Sequence, residues 1–279
     1  MIPTLLVAAS VFWLYAATLR GLVIEWLSSA DASYGIVLAA VALVVLWRRR
    51  EAFILASRTA GSPFPGGAAL LAGLAVYLVG QLGADVFLTR VSFVLVLTGA
   101  VWCLAGTSAI RTVAAPLVFL LMAIPLPALL MNAVTLPLQL VASRIGEATL
   151  TAAGVAVFRD GNLLELPSTT LEVANACSGL RSIVSLAAIG GLLAWTESSW
   201  PRRVALVAAT VPVAIVANGL RIAATGLACE TWGPRAASDP WHTLGGWLTF
   251  IVSVCVLVGL QRVMTTPALG TWDRDPVRA

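Results

Sequence analysis

The sequence predicts an all-α polytopic membrane protein, and three observations carry that prediction. Of the 279 residues, 59% are hydrophobic and only 11% charged, where a soluble domain carries about 25% charged residues. The mean hydropathy is +0.95. Windows of about 19 residues find too many apolar runs for a single anchor. A globular solution domain of this size needs a polar surface that these residues cannot furnish, so the soluble classes are excluded first.

The first apolar run, MIPTLLVAASVFWLYAATLR, lacks the basic n-region of a signal peptide. SSADAS is a poor cleavage site, and the run is expected to remain as the first span. Eight crossings are expected, at 2–19, 34–47, 67–83, 91–106, 111–125, 178–196, 203–224 and 243–263, each apolar and near bilayer length. Every one of the 17 basic residues is an arginine. They concentrate in WRRREAFILASR, TSAIR, WPRR and QR, which these crossings place on one side, and the positive-inside rule makes that side and both termini cytoplasmic. Arg20, Arg90, Arg159 and Arg235 fall on the other side. The net charge of +4 and pI near 9.2 therefore suit membrane topology and not nucleic-acid binding.

Residues 126–176 are expected outside the membrane or dipping into its outer leaflet. Asn132, Thr135, Gln139, Ser143, Glu147 and Thr151 recur at steps of three and four, giving one polar helical face suited to an interfacial or re-entrant helix. Asp160-Gly161 then signals a short β-hairpin. The chain thus divides into five N-terminal spans (1–125), an extracytoplasmic helix and hairpin (126–176), a three-span core (177–265) and a cytoplasmic tail (266–279). No internal repeat, low-complexity tract or soluble second domain is visible.

The four cysteines, Cys103, Cys177, Cys229 and Cys255, lie far apart without a CxxC pair, which signals neither zinc nor a disulfide framework. Three have the setting of small buried hydrophobes. Cys177 differs: it stands at the outer N-terminal end of span six, where Asn175 can cap the helix and the unpaired N–H groups favour a thiolate. Arg181 follows one turn deeper on the same face. In span seven, Asn218, Arg221 and Thr225 form a polar stripe. An intramembrane charge costs about 2.5–3.5 kcal/mol on insertion scales, so Arg221 asks for a partner or a task. His242, the sole histidine, begins span eight on the same side. A thiol, an imidazole and a guanidinium at one depth are the parts for acyl transfer, as nucleophile, proton carrier and oxyanion stabiliser.

Each residue also has a plainer role to weigh. Cys177 can be packing and Ser178-Gly179 a close helix contact. Arg181 can be a counter-ion to Glu172 or Glu147, Arg221 a lipid-headgroup ligand, and His242 an interfacial residue beside Trp241.

The stretches AIPLP, LEVANACSGLRS, ANGLRI and HTLGG, in that order, resemble the exosortase/archaeosortase family of multi-pass protein-sorting enzymes. The resemblance covers the C-terminal half well, and ACSGLRS followed some forty residues later by NGLR is its most specific part. It implies Cys177 as nucleophile, Arg221 as the essential arginine and His242 as the third catalytic member. Arg181 matches an arginine in the cysteine motif, and Asn218 and Ser178 are carried as supporting or substrate-orienting residues. Such enzymes cleave exported proteins at a C-terminal sorting signal: a short motif such as Pro-Glu-Pro, a transmembrane helix and a basic cluster. The new carboxyl end passes to an acceptor that is exopolysaccharide- or lipid-linked. The resemblance implies a bacterial inner membrane enzyme of the thiol protease or transpeptidase type, with its site facing the periplasm or exterior and membrane lipid around it. One departure stands out, because Tyr34 occupies the place of a family histidine in Ser-His-Gly and cannot serve as a base near neutral pH. No metal constellation or nucleotide-binding loop is present, so no cofactor and no nucleic-acid partner is expected. The rival class is a multi-pass transporter or lipid-binding protein whose Arg181 and Arg221 pair with anionic cargo.

Overall fold

The computed structural model describes residues 2–29, 32–58, 63–173 and 180–265. The chain is a polytopic all-α membrane protein with one small sheet. Its elements are α1 (Ile2–Ser28), α2 (Tyr34–Arg48), α3 (Arg50–Ala56), α4 (Phe64–Leu82), α5 (Val86–Met122), α6 (Ala128–Ala152), β1 (Phe158–Asp160), β2 (Leu163–Glu165), β3 (Thr170–Glu172), α7 (Leu180–Thr196), α8 (Trp200–Trp232) and α9 (Trp241–Thr265). Among the described residues, six helices are long and apolar enough to cross a membrane: α1, α4, α5, α6, α8 and α9. Helix α2 and residues Ser182–Thr196 of α7 are shorter apolar helices. Two compact units divide the chain, residues Met1–Ala133 and Val134–Ala279.

In the first unit, α4 and α5 form an antiparallel hairpin whose seam is set by glycine. Gly66, Gly73 and Gly80 recur every seven residues and face Cys103, Val96 and Thr89 in turn. A Cβ on Gly73 or Gly80 would lie 2.8 Å from the backbone nitrogen of its neighbour, so only glycine lets the helices approach this closely. Asp85 caps α5 by accepting a hydrogen bond from Leu88 N at 2.8 Å. The expected spans four and five are two limbs of α5, divided at Gly106, where φ is 82° and ψ 175°. Trp102 Nε1 donates across that break to Thr107 Oγ1 at 2.9 Å.

Helix α1 is tied to α5 by polar groups that hydropathy cannot pair. Arg90, counted from sequence among the outer-side charges, is 8% exposed and pairs with Glu25 at 2.6 Å. Tyr15, fully buried, shares a hydrogen bond with Ser92 Oγ at 2.9 Å and meets Tyr77 and Phe93 edge-on. Trp26 Nε1 donates to Ala123 O at 2.9 Å, fixing the start of the AIPLP stretch.

In the second unit, the polar face of α6 packs inside the protein at Thr135, Gln139 and Ser143, which are buried. The sheet supplies partners for its C-terminal half. Ser143 Oγ donates to Gly161 O at 3.0 Å, and Arg159 Nε donates to Glu147 Oε2 at 2.6 Å. Asn132 and Thr151, at the two ends of that face, remain exposed. The hairpin turns through Gly161 and Asn162, Asp160 facing Leu163, with Gly161 at φ 61°. A third strand, unforeseen from sequence, makes an antiparallel sheet of order β1-β2-β3.

Helices α7, α8 and α9 pack around Leu186, Ala214 and Leu257. Ala214 meets Leu257 in that cluster, while Arg221 lies by Gly246, so α8 and α9 are antiparallel. Helix α6 runs parallel to α8, since Ile145, Gly146 and Leu150 meet Gly219, Ile222 and Gly226 in ascending order. At the end of the three-helix bundle remote from the sheet, Gln261 Nε2 donates to Thr196 Oγ1 at 2.9 Å and to Glu197 Oε1 at 2.7 Å. Arg203 Nε donates to Glu197 O at 2.8 Å. Cys229 is buried as expected of a small hydrophobe, but Cys103 is only partly covered and Cys255 is exposed.

Candidate active site

The sheet packs against α6 and the C-terminal half of α8, toward one end of the α7–α8–α9 bundle. Leu164 and Val173 share a buried apolar cluster with Ala142 and Ile222. Leu166 packs on Leu150 and Ala223. Glu230 near the end of α8 accepts from Ser168 N at 3.0 Å and from Ser168 Oγ at 2.6 Å, pinning the β2–β3 loop to that helix. Helix α7 begins at this end, α8 finishes here and α9 begins again.

Arg221 stands on α8 one residue before Ile222. A Cβ built on Gly246 would lie 3.4 Å from Arg221 Nη1, so the guanidinium rests on the bare backbone of α9. Its Nη2 is buried without a hydrogen-bond partner among the described residues. Leaving such a donor unmade costs about 1–3 kcal/mol, more for a charged group. An arginine cannot escape that cost by losing its proton. The arrangement therefore presents a cation with a vacant donor direction, suited to an oxygen of a bound molecule. Thr225 Oγ1 donates to Arg221 O at 3.0 Å, and Asn218 is 4% exposed on the same face of α8.

His242 lies four residues before Gly246, on the same face of α9 and about 6 Å along its axis from the guanidinium's resting place. The start of α9 is fixed locally: His242 N donates to Ser238 O at 3.1 Å, and Thr243 Oγ1 donates to Asp239 Oδ1 at 2.6 Å. The structure thus brings Arg221, Asn218 and His242 to one end of one bundle.

Arg181 belongs to the first turn of α7, at this same end. Cys177, Ser178 and the capping Asn175 lie outside the described residues. Of the counter-ions considered for Arg181, Glu147 is taken by Arg159 at 2.6 Å. Gly246 is the site residue that sequence reasoning missed; its signal was a glycine pair one turn beyond the histidine. No group of three or more His, Cys, Asp or Glu side chains able to hold a metal occurs among the described residues.

No curated protein and no solved structure matches the chain. The sequence profile of the transmembrane exosortases matches residues 26–259, which take in Cys177, Arg181, Asn218, Arg221 and His242. With that match over most of its length, the chain belongs to the transmembrane exosortase family.

Proposed function

We propose that this exosortase is a cysteine endopeptidase or transpeptidase acting on exported proteins that carry a C-terminal sorting signal. The observation that carries the reading is the buried Nη2 of Arg221, without a hydrogen-bond partner among the described residues, on a guanidinium whose Nη1 lies against Gly246 one turn from His242. A donor held in this way costs the resting protein stability and is repaid when an oxyanion forms.

In this mechanism the Cys177 sulfur attacks the scissile carbonyl carbon and its proton passes to His242. The carbonyl oxygen, now negative, is held by Arg221. When the C–N bond breaks, the imidazolium returns the proton to the departing amine, leaving a thioester on Cys177. An acceptor nucleophile, exopolysaccharide- or lipid-linked, then takes the acyl group and frees the thiol. Arg181, Ser178 and Asn218 orient the substrate or the nucleophile. The site faces the periplasm or exterior of the bacterial inner membrane, because that placement puts the arginine-dense loops in the cytoplasm.

The test is processing of a tagged reporter bearing a C-terminal sorting signal in cells. Cys177→Ala and Cys177→Ser are expected to stop processing while the enzyme still accumulates in the membrane. Normal processing by Cys177→Ala would remove the nucleophile and favour the transporter or lipid-binding class.

A further inference from the structure

We infer that the elbow between α2 and α3 is a binding site for one anionic phospholipid, its acyl chain in an apolar cleft and its phosphate on the arginines at the rim. The break comes at Arg49, whose φ of −96° and ψ of 2° end α2 and start α3. It leaves a cleft of about 810 Å³, floored by Leu43, Leu46, Trp47 and Ile54 and rimmed by Arg48 and Arg50. That volume falls in the range of small-molecule sites. Leu43 and Trp47 are 65% and 68% exposed, so no other helix among the described residues closes the floor.

The rim is built in place. Arg50 stacks on the Trp47 ring at 4.4 Å, and its Nη1 donates to Trp47 O at 3.3 Å. The planar fork is thereby held beside the cleft with little freedom left to lose on binding. Glu51 lies 3.7 Å from Arg50 but is 87% exposed, and such a solvated pair does little to neutralise the rim. Residues 48–58 carry four arginines against this single glutamate.

A phospholipid matches both halves, a phosphate for the rim and a chain for the floor, and juxtamembrane arginine clusters favour anionic headgroups. A transmembrane helix with a basic flank, the substrate form proposed above, would set like charges against this rim.

The experiment uses the full-length protein in neutral detergent, incubated with phosphatidylglycerol or phosphatidylcholine of identical chains. Native mass spectrometry reads the lipid retained. One phosphatidylglycerol is expected to be retained about tenfold over phosphatidylcholine. The preference should vanish in Arg48→Gln/Arg50→Gln and persist in Arg48→Lys/Arg50→Lys. Leu43→Gln, at an exposed position, should lower retention while leaving the melting temperature in detergent unchanged. Equal retention of the two lipids, an unaltered preference in Arg48→Gln/Arg50→Gln, or displacement by inorganic phosphate alone would each overturn the site.

Discussion

Arg221 shows how one side chain is prepared by a residue that has none. A Cβ at position 246 would already touch the guanidinium, 3.4 Å from Nη1, so a side chain longer than alanine would compete with it for space. Arg221→Ala is therefore expected to slow reporter processing about 10²–10³-fold, the usual loss on removing one oxyanion donor. Arg221→Lys should also fail to restore it, because a single ammonium cannot reproduce the planar fork. Initial rates at matched membrane levels check both, and wild-type rates in either variant would remove Arg221 from the chemistry. That Arg221 stands out was legible in the sequence, because an arginine inside an apolar run asks for a partner or a task. Its neighbour Gly246 was not, since contacts between helices leave no local signature. Nor was the Glu25–Arg90 pair, whose members lie 65 residues apart and read singly as stray charges.

At the level of helices and strands, hydropathy located the apolar runs but not their joints. Two expected spans proved to be limbs of α5 divided at Gly106, one of the two glycines of that helix. The polar stripe of α6 was legible as a stripe, but its partners were not. Its Ser143 and Glu147 meet Gly161 and Arg159 of the hairpin, partners that appear only once the chain has doubled back. Strand β3 escaped notice because three residues after Pro167-Ser168 are too few to show alternation. The glycine seam of α4 and α5 yields a stability prediction. Gly73→Leu should lower the melting temperature in detergent and reduce accumulation, an overpacking cost of about 1–3 kcal/mol. Gly21→Leu, with nothing within 4 Å of a Cβ there, should do neither. Equal effects at the two positions would mean that the seam is not close-packed in the membrane.

For the whole chain, the number of crossings turns on α6. Helix α6 is long and apolar enough to span. Were it to cross, WPRR would lie on the opposite face from WRRR and TSAIR, against the charge rule. Pro137 within α6 allows it to bend without crossing. In a chain whose four native cysteines are replaced, Leu129→Cys and Gly161→Cys are accordingly expected to react alike with an impermeant maleimide applied to the outer face of cells. Labelling of one alone would add a crossing and reverse the sidedness of the end that carries Arg221 and His242. A last consequence follows from the Gln261, Thr196 and Glu197 contacts. They clasp the three helices at the end remote from the sheet, as the rivet of a pair of tongs holds its arms. Motion that admits a bulky guest must then widen the jaws at Arg221 and His242 while the rivet stays shut.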